Sequence, residues 1–195
     1  MRRFRARASW RAALGAVGVI ATLCWARDAD ADPQYSAGLV SGVCGRGSGS
    51  ELWQDTCWYN GLRAELLLGR QRSADFGAGP YLDVTTAGFD DVRFGGGLLG
   101  LAPTGSLPLV LSLGAYGRRD DDQWFPGLAA WLFVGSRSYN FHSNYAIAAG
   151  LLVGYQRDLD DQGANAIVVS LQIDGMLLAI PALFAVSAFR GSPEE

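Results

Sequence analysis

Lysine is absent from this chain, histidine occurs once, at His142, and cysteine only three times. Every positive charge is therefore an arginine, and the 16 arginines are outnumbered by 19 acids. Six of those arginines and only two of the acids lie in the first 31 residues. Beyond them ten arginines face 17 acids, a net charge of −7. So acidic a chain has no basic footprint for a nucleic-acid backbone. The lone histidine leaves the cysteines without partner ligands for a metal, and no cofactor is expected. Long apolar runs are also scarce. Ala12 to Ala26 is too short for a membrane helix. The one longer candidate, Ile167 to Phe189, contains Gln172 and Asp174, which a lipid-embedded helix tolerates poorly.

What is present starts with a targeting segment. Arg2, Arg3, Arg5, Arg7 and Arg11 form a basic region, Ala12 to Ala26 an apolar one, and Ala29-Asp30-Ala31 a small-x-small cleavage site. Together they predict a signal peptide over residues 1–31 and a mature start near Asp32. Arg2-Arg3 lacks the rest of a twin-arginine motif. Leu23 precedes Cys24 where a lipobox needs a small residue. Cys44 and Cys57 remain beyond the cleavage site. In an exported chain a close, even pair reads as a disulfide, worth roughly 3 kcal/mol for so short a loop.

Residues 32–175 divide into short alternating runs separated by turn residues, and the 26 glycines of the chain fit many strands in tight contact. Strands are predicted near 35–43, 57–68, 76–86, 92–101, 107–118, 124–134, 145–156 and 166–175. Eight strands at this spacing predict an antiparallel meander. One parity set is mostly apolar and carries no charge: Leu62, Ala64, Leu66 and Leu68; Phe76, Ala78, Pro80, Leu82 and Val84; Val92, Phe94, Gly96 and Leu98; Leu107, Leu109, Leu111, Leu113 and Ala115; Trp124, Pro126, Leu128, Ala130, Leu132 and Val134; Ile167, Val169, Leu171 and Ile173. The other is small, weakly charged and aromatic, with Arg63, Glu65, Asp83, Arg93, Ser112, Ser170, Gln172 and Asp174. A water-soluble barrel would need many charges on its outer face. The weakly charged set fits a narrow lumen, and the apolar set a lipid-facing exterior. The run Tyr145 to Tyr155, at roughly 3.3 Å per residue and tilted by roughly 40°, spans about 25 Å, the height of a lipid-facing band.

Both termini on one side would send residues 44–57, 87–91, 118–123 and 157–165 to the opposite, outer side. Trp58, Phe94, Trp124 and Tyr155 are then predicted at the outer rim and Phe76 and Tyr145 at the inner rim, an aromatic girdle at each interface. Arg63, Glu65, Asp83 and Arg93 are predicted as one ion cluster in the lumen, paired because enclosed charges must be. Trp131 and Phe133 point the same way, roughly level with Gly77 and Gly79, and predict a plugged lumen. Residues 176–195 remain as an apolar segment with a polar tail, and Gly175 and Pro181 are its expected breaks.

The signal peptide, the Tyr145–Tyr155 run, the period-two patterning over residues 35–175 and the acidic outer loops together resemble the small eight-stranded outer-membrane barrel proteins of Gram-negative bacteria. The resemblance implies an all-β, eight-stranded antiparallel up-and-down transmembrane barrel in the outer membrane of such a bacterium. Its partners would be outer-membrane lipid, lipopolysaccharide and the barrel-assembly machinery. Such barrels commonly end in an aromatic residue; here Phe189 is followed by Arg190 to Glu195, so that signal is displaced.

Few residues invite chemistry. Phe141-His142-Ser143-Asn144 is similar to the catalytic segment of the lipid A deacylase barrels, where His and Ser stand two apart and share a strand face, as a base and nucleophile must. Here His142 and Ser143 are adjacent and would face opposite ways. Asp158, Asp160 and Gly163 match positions one, three and six of a calcium loop, but Gln162 and Val169 fail at five and twelve. Asp120, Asp121 and Asp122 form a second acidic tip, read as solvated. The expectation is a non-enzymatic barrel with a structural or surface-interaction role. Carriage of a small or lipidic solute in the lumen comes second and a lipid A-modifying enzyme third.

Overall fold

The computed structural model describes residues 33–49, 51–70, 74–89, 91–104, 107–120, 123–138, 145–159 and 163–180. The expected signal peptide over residues 1–31, His142 and Ser143, Asp121, Asp122, Asp160 and residues 181–195 lie outside them.

Eight strands follow one another: β1 (Gln34–Ser48), β2 (Asp55–Leu67), β3 (Gly77–Ala87), β4 (Asp91–Ala102), β5 (Leu109–Asp120), β6 (Gln123–Arg137), β7 (Ala148–Asp158) and β8 (Ala164–Asp174). Each pairs antiparallel with its neighbours in sequence, and β1 pairs with β8, so the sheet closes into a barrel with no free edge. We call the end with the β1–β2, β3–β4, β5–β6 and β7–β8 connections the upper end. Among the described residues no helix is long and apolar enough to cross a membrane. Ile167 to Asp174 belongs to β8, and a helical turn over residues 175–180 follows at Gly175.

The strands form where the period-two pattern runs and stop where turn chemistry interrupts it. Ala87 and Asp91 are paired across the β3–β4 turn. Inside it Gly88 and Phe89 both have positive φ, 79° and 71°. Gly88 takes this conformation freely, whereas for a residue as bulky as phenylalanine it is costly. The Gly88 N–H donates to the Trp58 carbonyl at 2.8 Å, fastening the turn to β2.

Several expected boundaries move. β1 continues to Ser48 and β2 starts at Asp55, so Cys44 and Cys57 lie in paired strands and not in a loop. β6 continues past Val134 to Arg137. β7 starts at Ala148, so Tyr145 lies outside it and makes an isolated parallel bridge to Tyr35. In each case pairing with a neighbouring strand extends or ends the element, which one strand's pattern does not report.

The alternation sorts the two faces cleanly. β1 reads buried-exposed over Gln34 to Val40, with Gly38 on the inner face. Leu39, Leu62, Leu82, Leu111, Leu113, Leu128 and Leu171 are exposed on the outside, while Arg63, Glu65, Asp83, Arg93 and Asp174 are buried inside.

Candidate functional site

The lumen is where this fold concentrates its chemistry. A first network joins β2, β3, β5 and β6. The Arg63 guanidinium donates to Glu65 at 2.6 Å and to the Ser112 hydroxyl at 2.7 Å, and stands 3.6 Å from Asp83. It also lies over the Tyr81 ring, 4.0 Å from its centre. Arg137 donates to the other oxygen of Glu65. One carboxylate is thus held between two guanidiniums in a site closed to solvent. Two arginines and two acids leave this network neutral. Enclosed charges demand that balance, because an unpaired one would carry its full desolvation penalty.

A second network closes the upper mouth. Asp91 accepts both nitrogens of the Arg93 fork, at 3.2 and 2.7 Å, while Arg93 also donates to Gln156. Arg46 lies 3.8 Å from Asp91 and donates to the Ala87 carbonyl. Asp158 pairs with Arg118 at 2.9 Å and accepts from the Tyr116 hydroxyl. Between these groups is a cleft of about 40 Å³ lined by Arg46, Asp91, Arg93, Tyr116, Arg118 and Asp158. That is room on the scale of one or two water molecules.

The four residues expected as one cluster are therefore split. Arg63, Glu65 and Asp83 meet, whereas Arg93 belongs to the mouth. On β2 the inward order from the upper end is Cys57, Tyr59, Gly61, Arg63 and Glu65, so Tyr59 precedes the first network. Its ring lies 5.8 Å from that of Trp131, and its hydroxyl donates to Thr85 at 3.0 Å. Trp131 and Phe133 are fully enclosed. Their spaces come from other glycines than Gly77 and Gly79. A Cβ on Gly154 would collide with the Trp131 ring, and one on Gly135 or Gly150 would come within 2.9 or 2.8 Å of Phe133. Gly77 makes room for Arg70, whose guanidinium donates to Gln34 at 3.1 Å.

Cys44 and Cys57 are directly opposed in the β1–β2 register and joined by a disulfide, facing inward near the upper end. Outside, Trp58, Phe94, Trp124 and Tyr155 are exposed. Phe94 and Trp124 are in ring contact at 5.8 Å. Phe76, 74% exposed, immediately precedes β3. Tyr145 packs edge-on against Tyr35 at 5.3 Å and donates to Asp174 at 2.8 Å. Partial burial, then that hydrogen bond, raise its phenol above the usual value.

Arg137, Asp91, Gln156, Tyr116, Arg118 and Arg46 complete the lumen without having been singled out, and Asp158, read from the sequence only as a loop acid, joins them. All but one lie at or beyond the expected strand ends, and their inward parity emerges once pairing lengthens the strands. Tyr116 lay within the fifth run and on the inner parity, so its signal was available. Asp158 is a lumen residue, buried and already bonded to Tyr116 and Arg118, and is not a loop ligand for calcium. Among the described residues no group of three His, Cys, Asp or Glu side chains is placed to hold a metal.

These features define a class: a closed, eight-stranded antiparallel barrel with an aliphatic exterior and an interior filled by ion pairs and rings. No family model, curated protein or solved structure matches the chain.

Proposed function

We propose that this chain is an integral outer-membrane barrel of a Gram-negative bacterium with a structural or surface-interaction role and a closed lumen. The single observation that carries this reading is the outward face. Across eight strands it exposes leucine, valine and aromatic side chains, and among the described strand residues its only charges are Arg119 and Arg157 near the upper end. In water each exposed leucine would forgo roughly 1.5–3 kcal/mol of burial, and the belt far exceeds the patch a soluble monomer tolerates. Acyl chains relieve that cost. Closure meets the second requirement of a bilayer, since no strand edge is left unpaired. With both ends of the described chain below, the lower end faces the periplasm and the upper end the exterior. Small-solute carriage has less support, because ion pairs and rings occupy the lumen.

The test is extraction and spectroscopy on the full chain. We expect it in the outer-membrane fraction, released only by detergent, with a β-type circular dichroism spectrum and a heat-dependent shift in gel mobility. A monomer recovered in buffer without detergent, or a helical spectrum, would overturn the reading.

A further inference from the structure

The strand register climbs around the barrel. From Val134 on β6 it passes Leu151, Leu171, Ser41, Asn60, Thr86, Val92 and Arg119, and returns to β6 at Trp124, ten residues higher. At roughly 3.3 Å per residue and a tilt of roughly 40°, that climb is about 25 Å, and Asn60 is the midpoint of the row. Three consecutive members, Ser41, Asn60 and Thr86, put polar side chains on the outward face, and none is buried. Trp58 of the outer girdle stands two residues above Asn60, and Leu62, Ala64 and Leu66 lie below it. No other outward strand position described between the levels of Trp58 and Val134 holds Ser, Thr, Asn or Gln. The Ser41 hydroxyl donates to Asn60 Oδ1 at 2.7 Å, and the Thr86 hydroxyl donates to the Asn60 backbone carbonyl at 3.5 Å. No described residue accepts from the Asn60 amide nitrogen. Acyl chains cannot accept from it either, and an unmet polar group in hydrocarbon is costly.

We propose that this row is the contact face of a homodimer in the membrane, with Asn60 of each copy against Asn60 of the other. The proposal rests on the membrane reading above and names the partner of that outward surface. A carboxamide carries donor and acceptor on one group, and its oxygen has a second lone pair beyond the one Ser41 uses. Two copies related by a two-fold axis therefore satisfy each other, each Nδ2 donating to the opposite Oδ1. The bond from Ser41 holds the amide in place for that exchange. Leu39, Leu62 and Val84, exposed around it, supply close packing. Acyl chains serve a leucine as well as another barrel does, so apolar contact alone selects no face, and the polar row decides which faces meet.

Sedimentation equilibrium of the full chain in a neutrally buoyant detergent measures the association. A dimer is expected. Asn60→Leu should raise its dissociation constant about tenfold, and Asn60→Gln, which keeps the carboxamide, should stay within about threefold of native. Oxidative cross-linking locates the face: Asn60→Cys should join two copies, and Leu132→Cys, on β6 across the barrel, should not. Gel mobility before and after heating confirms that each variant is folded. A native chain that stays monomeric at every protein-to-detergent ratio would overturn the proposal, as would undiminished association of folded Asn60→Leu. Cross-linking through Leu132→Cys and not Asn60→Cys would put the contact on another face, and trimers or larger species would exclude a two-fold pairing; either overturns it too. Recovery of the chain in buffer without detergent would fail the membrane reading itself, a readout separate from association.

Discussion

Glu65 is the residue on which the lower ion network turns. Its two oxygens engage two different arginines, from β2 and β6. Glu65→Ala would leave Arg63 and Arg137 enclosed with Asp83 as the one acid of that network. Removing one partner of such a buried pairing costs about 3–5 kcal/mol. The expected outcome is a matching fall in unfolding free energy in denaturant titrations of the detergent-folded protein; a fall below about 1 kcal/mol would mean the arginines find other partners. Space is as tightly set as charge. Gly154→Ala places a methyl group against the Trp131 ring and should cost about 1–3 kcal/mol, the usual range for overpacking. Gly100, also in a strand, has open space where its Cβ would lie. Gly100→Ala should therefore change stability by no more than about 0.5 kcal/mol in the same assay. Equal costs at the two positions would show that room beside Trp131 is not what the glycine provides.

The β1–β2 hairpin is the element with a covalent fastening. Its disulfide joins residues 13 apart in sequence at directly opposed positions. The strands on either side are already paired, so the link limits the unfolded chain more than it shapes the folded one. Cys44→Ser/Cys57→Ser should lower unfolding free energy by about 3 kcal/mol, as expected for closing so short a loop. The barrel spectrum should be unchanged, and reductant should bring the native protein to the same value. A variant as stable as the oxidised protein would refute that account.

At the scale of the whole molecule, the barrel turns the usual distribution inside out. Its buried inventory includes Arg63, Arg70, Arg93, Arg137, Glu65 and three tyrosines, while leucines cover the exterior. The lumen is blocked twice, by the mouth network and by Tyr59, Trp131 and Phe133 with the lower arginines. Reconstituted in a planar bilayer, the protein should give no steady conductance. Trp131→Ala/Phe133→Ala, which removes two rings, should give measurable ion flux if the rings are the narrower obstruction. Steady conductance by the native protein would disprove the closed lumen.

Fold class was readable from residue order because period-two alternation is a local property. Which set is apolar, and where glycine, proline and aspartate interrupt it, needs no knowledge of neighbours. The inward parity of Arg63, Glu65, Asp83, Trp131 and Phe133 could be read in the same way, as could the pairing of Cys44 with Cys57 by elimination. Partnership across the lumen could not. Arg137 reaches Glu65 over 72 residues and Arg93 reaches Gln156 over 63. Those meetings depend on strand register and on closure of β1 against β8. A one-strand pattern is silent on both, because it sets the face a side chain takes and not the height at which another strand presents its own.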